Sequence, residues 1–266
     1  MKKIAHYIIT RFNLRSAGLG TTALDPAWLR RRFDLFEKFC LPTVKAQALQ
    51  DFSWLILFDN ETPADARRKI SEWANWPAIT PVFMEAGAVD VGRRAVALAM
   101  QEPPDLLLTT RLDNDDGLAL DYIKTIRSFA EVDRPTVLEF PNGYVLAGGR
   151  AYLDHQPRNP FSTLVEPVER NPQYPYKTIY HGAHHQSQNL GQVLEVSQAP
   201  GWLQVVHGVN LASRVRGIRK PVADLRNRFA LDPALLTSSE GGIEFAFDAV
   251  RTRGVEALRQ IWRRIR

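Results

Sequence analysis

A single cysteine, Cys40, stands among 266 residues, which excludes an internal disulfide and any zinc cluster built from cysteines alone. Such a chain is expected in a reducing compartment, here the cytoplasm. No apolar run approaches the roughly 20 residues that a membrane span requires. Met1-Lys2-Lys3 leads directly into a strand-like stretch holding His6 and Tyr7, unlike a signal peptide. There is no internal repeat, no dividing linker, no Gly-x-x-x-x-Gly-Lys loop, and no helical His-x-x-x-His pattern with a glutamate. These absences argue against P-loop phosphoryl transfer and against a zinc enzyme.

Hydrophobic residues make up 45% of the chain and charged ones 24%, the profile of a globular protein long enough to bury a sizeable core. One domain over 1–266 is predicted, with a helical tail from about 214. The formal charge is +5, and much of the excess lies in 214–228 and 251–266. In the last segment Val255, Leu258, Trp262 and Ile265 share one helical face. That helix either packs on the domain or makes peripheral contact with the inner membrane surface. Nucleic-acid binding is not expected, because the basic residues belong to no recognisable module and are not interleaved with aromatics.

Apolar runs at 4–10, 54–58, 80–84 and 105–109 alternate with helical patterns, so a largely parallel α/β sheet flanked by helices is expected. Asp25-Pro26 opens the first helix, whose Trp28, Leu29, Phe33, Phe36 and Phe39 recur at core spacing. Thr62-Pro63 should cap a second helix, and 91–100 and 118–130 read as two more. After a strand at 136–140, Asn142-Gly143 predicts a hairpin into 144–147, a small antiparallel addition closed by Gly148-Gly149. Five prolines between 156 and 176 predict a long loop acting as an acceptor-side lid. A last strand is expected at 202–206.

The stretch from Leu106 to Gly117 organises the rest, since an apolar strand there ends in Asp113, Asp115 and Asp116. Two residue steps between Asp113 and Asp115 let both carboxylates approach one hard divalent cation, and that cation could neutralise a diphosphate. The alternative is an Asx turn capping the helix near Leu118. An EF-hand loop fits badly because Leu112 fills a ligand position. Arg11, after the first strand, is a phosphate-binding candidate. Asp59, after the second, either contacts a base or ribose or forms a turn with Asn60. His181, His184, His185, Gln186, Gln188 and Asn189 suit hydroxyl binding or local turn chemistry. His207 is either a third metal ligand or a structural histidine.

Together, Thr10-Arg11-Phe12-Asn13, Phe52 through Asp59, Thr109 through Asp116 and His207 through Asn210 resemble the rhamnosyltransferase family among bacterial relatives of the GT-A glycosyltransferases. The resemblance runs from Ile4 to about Ser213 and is sharpest at Arg111-Leu112-Asp113-Asn114-Asp115-Asp116. It implies a GT-A-like fold and transfer of a sugar, rhamnose by the family's name, from a nucleotide-diphospho-sugar to a saccharide or lipid-linked hydroxyl acceptor. Thr10, Arg11, Asp59, Arg111, Asp113 and Asp115 would bind the donor, and Asp113, Asp115 and His207 would hold Mn2+ or Mg2+. His184, His185 and Gln188 would face the acceptor. No Glu-Asp pair matches the family's general base, which leaves Glu166, Glu169 and Asp116 as catalytic candidates. Nucleotidyl or phosphoryl transfer, and non-catalytic nucleotide-sugar or saccharide binding, are the competing functions.

Overall fold

The computed structural model describes residues 2–15, 20–168, 176–182, 184–207, 215–236, 248 and 250–254, and the elements and contacts given are those among them. The predicted basic tail at 255–266, Glu169 and residues 208–214 lie outside them. Among the described residues no helix is long and apolar enough to cross a membrane.

Continuous apolar runs make strands that are covered on both faces. β1 (Ile4–Arg11), β2 (Ser53–Asp59), β3 (Ile79–Met84) and β4 (Leu106–Arg111) pair in parallel in the order β4, β1, β2, β3. Successive side chains of β1 point to opposite faces. Ile8 enters a cluster with helices α1 (Pro26–Leu35), α3 (Ala64–Trp73) and α5 (Tyr122–Ser128), while Tyr7 and Ile9 enter one with α4 (Val91–Ala99). The crossover therefore changes face between β3 and β4, and the sheet's topological switch point falls between β1 and β4. In such sheets ligands settle in the crevice beyond the strands' C-terminal ends at that point.

Asp25 caps α1 as expected, its carboxylate accepting the Trp28 amide at 2.7 Å. The helix runs on through one wide turn (Phe36–Cys40) into α2 (Leu41–Lys45), where Pro42 cannot donate a backbone hydrogen bond. Of the expected core aromatics Phe33 and Phe36 are buried, while Trp28 and Phe39 are only partly buried against the core. Phe36 and Trp73 sit with centroids 4.4 Å apart, and Phe33 stacks on Phe12 at 5.2 Å.

Four local readings need correction. Pro63, not Thr62, occupies the cap of α3, because the Thr62 hydroxyl donates backward to the Asp59 carbonyl at 2.6 Å. The helix read at 118–130 shortens to α5, since β5 (Gly117–Leu118) pairs with β11 (Trp202–Val206) instead. Asn142-Gly143 is not a hairpin turn. It lies inside β7 (Asn142–Ala147), and Gly143 is required because a Cβ there would overlap the Trp202 ring. The real turn is Gly148-Gly149, both with positive φ, joining β7 to β8 (Arg150–His155).

The fourth correction concerns the proline-rich lid. Within it β9 (Thr163–Pro167) runs antiparallel between β4 and β6 (Thr136–Glu139), the one reversed strand of a seven-stranded sheet that ends in β10 (Gln192–Glu195). Residues 163–167 are thus an interior strand and no lid, while 169–175 of the same expected loop lie outside the described residues. β7, β8, β11 and β5, with β12 (Ile218–Lys220), form a second, mixed sheet. Trp202 joins the two sheets, stacked on Phe161 at 5.0 Å and donating its indole N–H to the Phe140 carbonyl.

Candidate active site

Parallel pairing sets Ile9 opposite Arg111, so Arg11, two residues further along, emerges on the same face as Arg111 at the switch point. Arg11 is exposed, whereas the Arg111 side chain is only 12% exposed. Both guanidiniums lie against one ring, Tyr180, at 5.2 and 5.3 Å from its centroid. Burial opposes the Arg111 charge, but Asp113, whose carboxylate is 3.6 Å away, holds the guanidinium above its usual range. Among the described residues no carboxylate pairs with Arg11, and Arg111 Nε is buried without a hydrogen-bond partner. The crevice therefore carries positive charge to spare, the electrostatic requirement for an anion site.

Tyr180 arrives on the segment 176–181, whose backbone is tied down along its length. The Glu166 carboxylate accepts the Lys177 and Thr178 amides at 2.8 and 2.9 Å, and the Thr109 hydroxyl accepts Ile179 N–H at 2.8 Å. Thr178 has φ +72°, a left-handed conformation that costs a β-branched residue on the order of 1–3 kcal/mol. Gly92, in α4, makes the approach feasible. A Cβ there would lie 2.6 Å from Thr178 Oγ1 and 2.9 Å from Tyr180 Cβ.

The acidic loop packs beside this pair. Asn114 donates to the Phe12 carbonyl at 2.9 Å, fixing the loop to the end of β1. Asp115 Oδ2 meets Arg32 Nη1 at 2.7 Å and His207 Nε2 at 2.9 Å. Burial alone would raise the Asp115 carboxyl, yet His207 and Arg32 hold it below its ordinary value. Asp116 turns inward and accepts the Val205 amide at 2.9 Å; burial, then its acidic neighbours, push its carboxyl well up. That bond fixes β11 two residues before His207. Burial and the same acids raise the Cys40 thiol, which donates to the Asp113 carbonyl at 3.6 Å.

Of the three expected metal ligands, the structure brings Asp115 and His207 together. Asp113 stays apart, and among the described residues no three ligand-type side chains cluster around one point. A carboxylate oxygen and an imidazole nitrogen are donor types that a divalent first-row ion takes, and here they are bonded to each other with the Arg32 cation also on Asp115.

The remaining candidates are distributed more widely. Thr10 is fully buried, its hydroxyl accepting the Trp54 indole N–H at 2.9 Å, so its side chain faces the core and not a donor. Asp59 is also fully buried. Its oxygens take the Arg15 Nε at 2.8 Å, Arg15 Nη2 at 3.1 Å and the Glu61 amide at 2.8 Å. Burial would raise this carboxyl, but Arg15 draws it below the usual range. Glu166 sits opposite Leu107, toward the far end of β4, with both oxygens committed to backbone amides. It holds the Tyr180 segment and is not placed for proton transfer at the crevice. His185 and Gln188 are exposed in the short turn His184–Asn189 beside β10, and of His184 only the backbone is described.

Two residues at the site were missed from sequence. Arg32 is one of three consecutive arginines in α1, with its Trp28 contact as the sole local sign. Tyr180 lies next to the histidine cluster but carries no motif.

A family model described as "Putative rhamnosyl transferase" matches residues 9–219. No curated protein matches the chain. Among solved structures, S. aureus TarS 1-349 is similar at 11% identity and TM-score 0.43, over 76% of this chain and 60% of that one. The same protein in complex with UDP gives 12%, 0.42, 77% and 60%. GalNAc-T7 with UDP, GalNAc and Mn2+ gives 12%, 0.45, 77% and 44%. The chain thus spans less than two thirds of the length of each of these structures.

Proposed function

The chain belongs to the "Putative rhamnosyl transferase" family, and from that membership we propose that it moves a sugar, rhamnose by the family's name, from a nucleotide-diphospho-sugar to a hydroxyl of a saccharide or lipid-linked acceptor. The observation that carries the donor class is the convergence of Arg11 and Arg111 at the β1/β4 switch point, with too little local negative charge to balance them.

In such a transfer the acceptor oxygen bonds to C1 of the sugar, the bond from C1 to the diphosphate oxygen breaks, and the acceptor proton passes to a base. Negative charge grows on the leaving diphosphate, where Arg11 and Arg111 are preorganised to meet it. Arg32 is a third guanidinium at the acidic loop, held on Asp115. A divalent ion, Mn2+ or Mg2+, would be held by Asp115 and His207 and would supply Lewis-acid charge compensation at the same leaving group. Asp116 keeps His207 in place through the Val205 amide. The chain's own part is thus to bind, orient and neutralise a diphosphate.

The test is incubation with uridine, thymidine and guanosine diphospho-sugars, with and without Mn2+, read by mass spectrometry for released nucleoside diphosphate. Slow metal-stimulated hydrolysis of one donor, accelerated by a saccharide acceptor, is expected. Cleavage of plain nucleoside triphosphates would move the reading to nucleotidyl transfer. Tight nucleotide-sugar binding with no turnover would move it to a binding protein.

A further inference from the structure

The segment carrying Tyr180 is held far more firmly than a connecting loop requires. Thr178 is left-handed, its hydroxyl is buried without a partner among the described residues, and three side-chain to backbone bonds, from Glu166 and Thr109, hold the chain there. Strain of this kind persists only where the surroundings over-determine it, and it gathers at ligand clamps. What the strained segment delivers is one ring against two guanidiniums, with the Tyr180 hydroxyl donating to the Ile9 carbonyl at 3.3 Å. Arginine side chains are long and rotamer-rich, so two of them beside each other would spread apart in water. The ring attracts both and tethers each at a set distance from its centroid.

We infer that Tyr180, anchored through Glu166 and Thr109, is a positioning residue that makes this crevice select a diphosphate over a single phosphate. One guanidinium is enough for one phosphate, but two held at a set separation can each take one phosphate of a linked pair. The inference rests on the proposed donor reading and sharpens it: discrimination of the charged leaving group lies in an aromatic spacer on a strained strap. Glu166, whose carboxylate lies at the other end of β4, acts only through that strap.

Isothermal titration of the full chain in metal-free buffer tests this, with inorganic pyrophosphate and orthophosphate as probes and uridine and thymidine diphosphates in parallel. The parent should bind pyrophosphate in preference to orthophosphate. Tyr180→Phe keeps the ring and should keep the preference. Tyr180→Leu should lower the preference about tenfold while leaving orthophosphate affinity unchanged, as expected for losing two cation–π contacts. Glu166→Gln, which retains one acceptor, should lower it less. If Tyr180→Leu does not melt cooperatively, Glu166→Gln and Arg11→Gln decide the matter, because both should still lose preference. A Tyr180→Leu or Glu166→Gln variant that folds and discriminates like the parent overturns the inference while the donor reading stands. A parent that binds neither pyrophosphate nor any nucleoside diphosphate overturns both.

Discussion

The two halves of the candidate site handle charge in opposite ways. Around Asp115 everything is answered locally, with Arg32 and His207 on one oxygen, Asn114 on the Phe12 carbonyl and Asp116 on the Val205 amide. Around Tyr180 little is answered: two guanidiniums share a ring, and one carboxylate stands 3.6 Å from one of them. In the first half a cation would compete with the Arg32 charge already on Asp115, whereas the second is ready for an anion as it stands. An anionic ligand should therefore bind first and alone, and a metal should bind with its help.

The sharpest way to break this contrast is Arg111→Ala. Loss of a largely desolvated charge from an anion site typically costs 2–5 kcal/mol of binding, so pyrophosphate affinity should fall about a hundredfold by titration calorimetry. Thermal stability should change little, because the lost Asp113 and Tyr180 contacts offset removal of a buried guanidinium with an unpartnered Nε. Equal affinity in parent and variant would show that the anion sits elsewhere.

Behind the cationic half, the His6 Nε2 meets the Thr110 hydroxyl at 2.7 Å inside the sheet. Burial, and then the charge of Arg127, drive its pKa from 6.5 down to about 3. The folded state thus binds fewer protons than the unfolded one between these values. The stability His6 contributes is complete above pH 6.5 and drains away as the pH falls toward 3, by about 1.4 kcal/mol per unit. Urea denaturation at pH 6 and pH 5 should show that slope in the parent and a flatter one in His6→Gln. Parallel lines would mean that the imidazole is charged in the fold.

On the acidic side, Arg32→Gln removes the cation already seated on Asp115. Manganese affinity without nucleotide, read by electron paramagnetic resonance, should rise several-fold to about tenfold, and His207→Ala added to it should cancel the gain. Unchanged manganese binding in Arg32→Gln would argue that Arg32 and the ion do not compete. The smallest effect is expected from Asp113→Asn. Its side chain is 38% exposed, so stability should move within about 0.5 kcal/mol, while pyrophosphate affinity should rise about twofold as Arg111 loses its one carboxylate.

The cationic end of β1 was legible in the sequence because an apolar run followed at once by a charged residue has few places to put that residue except a strand's end, whereas Arg111 was named only through the family resemblance. The same logic located the acidic loop, and the mostly parallel sheet flanked by helices followed from strands alternating with helical patterns. Arg32 and Tyr180 were illegible for a shared reason: their roles depend on contacts with residues 83 and 69 positions away, Asp115 and Arg111, and neither side chain differs locally from its neighbours. Asn142-Gly143 misled because a strong local turn signal gave way to Trp202, whose ring needs the space above Gly143. β9 stayed hidden because Pro160 lies just before a run of only five residues that itself ends in Pro167, and its partners β4 and β6 both precede it in the chain.

That late strand has a consequence for how the chain reaches its fold. β4 and β6 come off the ribosome with no partner for their facing edges, and only when 163–167 has emerged can the central gap between them close. Until then the nascent chain presents two unpaired edges, Leu106-Leu107-Leu108 among them, as a template for another copy. The slow step of folding should be this insertion, and a chain cut just before β9 should aggregate instead of folding short.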